Sequence, residues 1–115
     1  MHRDDLKTSR DQILPGTLHM LILETLRRGP LHGYAIAKRI QQVSEDALQV
    51  EEGSLYPALQ RMLRNGWVTA EWVPAGPKRR ARVYKLTPSG RQQLAADLSQ
   101  FRRVMTGIMR VIEPA

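Results

Sequence analysis

Five cations fall within a short span, Lys78, Arg79, Arg80, Arg82 and Lys85, and a segment upstream offers amide and guanidinium groups at Gln60, Arg61 and Arg64. Such side chains make and break no bonds; they bind anions. Lysine and arginine neutralise phosphates and release the counterions condensed on a nucleic acid. Arginine also pairs bidentately with guanine, and glutamine with adenine, along a major groove. The charge is localised: from Gly53 to Arg91 the only acid is Glu71, and this stretch carries the whole of the formal net charge of +7. Ser54 and Tyr56 add hydroxyls ahead of Gln60, where a helix N-terminus favours an anion. Tyr34 and Lys38 are further candidates for flanking phosphates, with Tyr34 equally suited to a core whose rim holds its hydroxyl.

Other chemistries find no such concentration of groups. There is no cysteine, hence no disulfide, thiol or thiolate metal chemistry. His2, His19 and His32 are far apart and lack carboxylates at ligand spacing. No phosphate-binding glycine loop and no serine, histidine and acid pattern is present. The acid pair Glu51-Glu52 is explained by its place just before a helix N-terminus. The reading is a protein without catalytic residues, cofactor or metal. No apolar run approaches a bilayer span, and no hydrophobic signal region follows the charged Met1 to Gln12, which suggests a cytoplasmic location.

These groups need a scaffold, and hydrophobic spacing supplies one. Residues 1–12 alternate charge and read as a mobile arm, with Arg3, Lys7 and Arg10 interleaved with acids. Structure should begin at Leu14-Pro15-Gly16-Thr17, Thr17 capping a helix whose apolar face is Leu18, Leu21, Ile22 and Leu26. Gly29-Pro30 ends it. Tyr34, Ile36, Ala37, Ile40 and Val43 mark a second helix from about Gly33 to Ser44. A third should open with Ser54 as N-cap, tolerate Pro57 in its first turn, and stop at Asn65-Gly66. Leu55, Leu59, Met62 and Leu63 share its inner face, leaving Gly53, Pro57, Gln60, Arg61 and Arg64 outside. Trp67 to Val73 and Arg82 to Leu86 read as antiparallel strands joined through Pro74-Ala75-Gly76-Pro77, with Lys78-Arg79-Arg80 just past the tip.

Thr87-Pro88 combines an N-cap with proline at the first helical position, a strong start signal. Beyond it Leu94, Leu98, Phe101, Met105, Ile108 and Ile112 alternate steps of four and three, the spacing of a coiled-coil seam. A helix of about 25 residues is roughly 37 Å long, more than so small a domain can cover. A second copy of the chain is the expected cover, which makes these six residues the candidate dimerisation set.

The order of elements, mainly α with a small β-hairpin, is that of a winged helix-turn-helix with a long C-terminal dimerisation helix. Its expected divisions are a mobile arm at 1–12, the winged helix-turn-helix at 13–86 and the dimerisation helix at 87–113. With those residues in view, the chain resembles the PadR family of transcriptional regulators, in its short-C-terminal branch. The matching stretches are Leu31-His32-Gly33-Tyr34-Ala35-Ile36, Gly53-Ser54-Leu55-Tyr56-Pro57-Ala58-Leu59 and Arg82-Val83-Tyr84-Lys85-Leu86-Thr87-Pro88-Ser89-Gly90. The resemblance implies a homodimer on double-stranded DNA, bound at a palindromic operator, repressing until a small-molecule effector releases it. It also implies that Ser54, Tyr56 and the wing cations contact DNA. The same charge would equally serve a module that grips an acidic protein or an RNA, so these readings stand as alternatives. A membrane surface is disfavoured because the basic region is a hairpin, not a basic amphipathic helix.

Overall fold

Helix formation follows the apolar spacing closely. The computed structural model describes residues 16–113; the expected N-terminal arm at 1–12, with Arg3, Lys7 and Arg10, lies outside the described residues. Helix α1 spans Leu18–Arg27, α2 spans Gly33–Val43 and α3 spans Glu52–Arg64. Each turns one stripe inward, and Ile22, Leu23, Ile36, Leu55, Leu59 and Met62 are fully buried with Val68 of the hairpin. Helix α2 ends where Glu45 and Asp46 both take left-handed backbone conformations, φ 53° and 67°. Asp46 holds that turn through a carboxylate that accepts from Gln41 Nε2 at 3.0 Å and an amide that donates to the Gln41 carbonyl at 2.9 Å.

The hairpin is longer than its sequence suggests. Strand β2 runs Val68–Gly76 and β3 runs Arg79–Leu86, so only Pro77 and Lys78 form the turn. Pro74, Ala75 and Gly76, expected in the connection, belong to the strand, with a register irregularity between Pro74 and Gly76. Proline is tolerated there because β2 is an edge strand. A third strand completes the sheet: β1, Leu31–His32, pairs antiparallel with β3 through Leu31 to Tyr84 and His32 to Val83, giving the order β1-β3-β2. Two residues are too few to show strand alternation, so only the pairing itself reveals this strand.

Helix α4, Pro88–Ile112, is 25 residues long. Thr87 caps it as its sequence predicts, its Oγ1 accepting from the Gly90 amide at 2.9 Å. The same hydroxyl lies 2.7 Å from the Gly66 carbonyl oxygen and 3.0 Å from that of Trp67, tying the helix start to the base of the hairpin. The approach is close enough that a Cβ on Gly90 would sit 2.1 Å from the Trp67 carbonyl oxygen. Glycine is required here for space.

The long helix corrects the expected dimer seam. Leu94 is only 3% exposed and belongs to the protomer's own core. Leu98 and Phe101 are half-buried against that same core. The first half of α4 crosses α1 and uses its apolar stripe there. Past Phe101 the helix leaves the domain, and Val104, Ile108, Met109, Val111 and Ile112 are exposed, with Met105 half-buried.

Candidate nucleic-acid interface

Helix α3 begins three residues earlier than its sequence suggests. Glu51 is the N-cap, in extended conformation, and its carbonyl accepts from the amides of Ser54 and Leu55 at 3.0 and 2.9 Å. Ser54 is therefore the third helical residue and not the cap. Pro57 moves with it into the second turn. There its ring removes the amide that would pair with the Gly53 carbonyl. Gly53, Ser54, Pro57, Gln60, Arg61 and Arg64 are all exposed, while Leu55, Ala58, Leu59 and Met62 are buried, so the outward face stands as expected.

Tyr56 lies at the edge of that face and leans on α2. A Cβ at Gly33 would come within 2.9 Å of its Cε1 and 3.2 Å of its hydroxyl oxygen, so the absent side chain is what seats the tyrosine. This joins two stretches that the sequence could only set side by side. Burial, with Glu52 and Tyr84 nearby, pushes the Tyr56 phenol up from its ordinary value. It is then a hydrogen-bond donor at neutral pH.

The hairpin closes the other side of a hollow of about 590 Å³, lined by His32, Gly33, Tyr34, Tyr56, Gln60, Trp72, Arg79, Arg80, Ala81, Arg82 and Tyr84. No lining residue is acidic. In the register of the hairpin Trp72 pairs with Arg82 and Pro74 with Arg80, and side chains alternate between faces along a strand. Arg80 and Arg82 thus share the face of buried Tyr84 and Leu86, while Lys85, paired with Thr69, lies on the reverse. The guanidinium carbons of Arg80 and Arg82 stand 5.7 and 5.8 Å from the Trp72 ring centre, and that of Arg82 is also 5.8 Å from the Tyr84 ring. The Nε of Arg82 is shut off from solvent, with no hydrogen-bond partner among the described residues.

Of the residues expected to bind a nucleic acid, Tyr34, Tyr56, Gln60, Arg79, Arg80 and Arg82 meet in this hollow. Lys38 joins its border, with Nζ 5.5 Å from the Tyr34 ring centre. Ser54, Pro57 and Arg64 are exposed on α3 outside the hollow, and Lys78 occupies the hairpin tip with a left-handed φ of 58°. Arg61 is diverted: its Nε donates to His19 Nε2 of α1 at 3.4 Å. His19 packs edge-on to Trp67, ring centres 6.1 Å apart at 87°. Burial first, then the Arg61 charge, lower the His19 pKa against a smaller opposing effect of Asp97, so the imidazole stays neutral and able to accept. Trp72, His32 and Tyr84 also line the hollow but are not among the residues that the sequence marks for nucleic-acid contact. Aromatic residues in a strand signal only strand; their cationic neighbours depend on register.

Residues 22–96 match the Transcriptional regulator PadR-like family. The chain belongs to that family. It is a family of transcriptional regulators rather than enzymes. An uncharacterised 37.1 kDa protein in a transposon of Streptomyces fradiae is 42% identical over 85 residues, which cover 74% of this chain and 23% of that protein. The negative transcriptional regulator PadR of Bacillus subtilis is 31% identical over 77 residues, covering 67% of this chain and 42% of the regulator. This PadR-like chain therefore spans less than half the length of either relative. The B. subtilis protein, solved in complex with operator DNA, superposes with a TM-score of 0.67 at 30% identity over 72% of this chain and 47% of that one. A PadR family regulator of Eggerthella lenta superposes over 97% of this chain and 96% of its own, at a TM-score of 0.76 and 28% identity. The winged-helix fold is thus shared with solved members of the family. Among the described residues no helix is long and apolar enough to cross a membrane.

Proposed function

We propose that this PadR-like chain binds double-stranded DNA sequence-specifically as a cytoplasmic homodimer on a palindromic operator, repressing transcription until a small-molecule effector releases it. The observation that carries the proposal is the acid-free hollow in which α3 and the wing present Gln60, Arg79, Arg80 and Arg82 together. A polar reading helix beside a cationic clamp is what duplex DNA demands: base edges for specificity, phosphates for position. Gln60 and Arg64 are assigned to base edges, and Tyr34, Lys38, Ser54, Tyr56, Pro57 and the wing cations to the backbone. Arg61 serves as a base or phosphate contact once it leaves His19. Repression is inferred from the B. subtilis negative regulator, and DNA from that protein's operator complex. Dimerisation is assigned to the exposed second half of α4, from Met105 through Ile108 to Ile112, with Leu98 and Phe101 at its root. The divisions 13–86 and 87–113 are retained as reading domain and dimerisation helix.

The test is selection of genomic fragments by the purified protein, followed by binding measurements over a salt series. A two-fold symmetric site, with half-sites about 34 Å apart or a multiple of it, is expected. Competition with duplex RNA and with an acidic protein separates the alternatives, because A-form RNA keeps its deep major groove from a helix. Recovery of fragments no more related than random DNA would refute sequence-specific binding.

A further inference from the structure

The wing of a DNA-binding protein faces a physical difficulty in its free state. Lys78, Arg79, Arg80 and Arg82 stand within five positions, so their charges repel, and long arginine side chains lose much rotamer freedom when a partner immobilises them. Something must hold them ready if binding is to be tight. Resting on the DNA-binding reading above, we propose that Trp72 is a positioning residue of this interface: its indole gathers the Arg80 and Arg82 guanidiniums into the hollow before DNA arrives.

Three observations converge on this assignment. Trp72 is the cross-strand partner of Arg82, and Arg80 follows two residues along on the same face, so one ring serves both. Both guanidinium carbons lie within 6 Å of its centre, the range in which a cation is attracted to the face of an aromatic ring. Trp72 is nevertheless 58% exposed and outside the hydrophobic core, so packing does not account for an indole at this position. Arg82 is additionally backed by Tyr84, which leaves Arg80 the more dependent of the two.

The experiment compares wild type, Trp72→Ala, Trp72→Phe and Arg80→Ala. In the free proteins, NMR reads the Hδ resonances of Arg80 and Arg82, which ring current moves upfield when they sit over an indole. Binding to the selected operator is measured across a salt series. Trp72→Ala should return the Hδ resonances toward random-coil positions and weaken binding about 5- to 30-fold at every salt concentration, as ordering two arginines becomes a cost of binding. Its salt slope should stay that of wild type, because no cation is lost, whereas Arg80→Ala should flatten the slope. Trp72→Phe should recover most of the affinity and part of the shift.

Unshifted Hδ resonances in wild type, or unchanged affinity in Trp72→Ala, would overturn the proposal. So would a Trp72→Phe protein that keeps the shifts yet binds as weakly as Trp72→Ala, since the indole would then touch DNA itself. A wild-type protein that binds no duplex would sink the DNA reading, and the Hδ measurement would still decide whether Trp72 holds the arginines.

Discussion

Replacing Gly90 by alanine tests whether the joint between hairpin and long helix is as tight as the structure shows. Helix propensity alone favours the change, since alanine in a helix interior is better than glycine by about 1 kcal/mol. The structure predicts the opposite sign. The new Cβ would lie 2.1 Å from the Trp67 carbonyl oxygen, 3.0 Å from its carbonyl carbon and 2.7 Å from Leu86 Cδ1. The leucine methyl can rotate away, but the Trp67 carbonyl is backbone, fixed by the Thr87 amide at 3.1 Å. Helix α4 must therefore retreat by roughly 1 Å to reach ordinary contact. Overpacking of this kind costs about 1–3 kcal/mol. The retreat also stretches the Thr87 contacts to Gly66 and Trp67, at about 1 kcal/mol for each hydrogen bond lost. With the propensity gain subtracted, a net loss of about 2–4 kcal/mol remains, a fall in Tm of roughly 8–20 °C for a domain near 100 residues.

Gly107→Ala in the same helix is the internal control. A Cβ there meets nothing within 4 Å, so the propensity gain stands alone and Tm should rise by a few degrees. Thermal and denaturant unfolding of both variants beside wild type reads the two signs. If Gly90→Ala stabilised the protein as Gly107→Ala does, the close approach and the reasoning built on it would be wrong.

Further consequences follow for pH, assembly and specificity. His19 has its pKa lowered in the fold, so as pH falls through about 6.5 the unfolded chain takes up a proton before the folded one. Stability should be complete above that pH and decline below it, and His19→Phe should show a shallower decline in Tm between pH 7.5 and 5.5. Met105→Asp or Ile108→Asp, on the part of α4 beyond the domain, should leave a folded monomer by sedimentation with an unfolding curve close to wild type, because a charge there disrupts only the seam. Leu98→Asp, half-buried against the protomer's core, should instead lower Tm sharply. Gln60→Ala should relax preference at particular base pairs by about 1–3 kcal/mol in operator-variant binding, while unchanged selectivity would remove Gln60 from the reading face.

Much of this molecule is written locally in its sequence. Apolar residues three and four apart set the faces of α1, α2 and α3, and Thr87-Pro88 set the start of α4, because helix faces and caps depend on neighbours within a turn or two. The concentration of charge between Gly53 and Arg91 likewise needed no coordinates. The start of α3 was misplaced because several nearby residues can serve as a cap, and backbone geometry chose Glu51 over Ser54.

What no local pattern could reveal is which distant residues meet. Leu31 pairs with Tyr84 to make a third strand, and hairpin register sets Trp72 against Arg82. Arg61, placed outward by its helix position, is claimed by His19 from 42 residues away. The even apolar spacing of α4 likewise concealed a division of labour, since Leu94 serves its own core while Ile108 and Ile112 remain uncovered. Periodicity states that a face is apolar; only packing decides what lies against it.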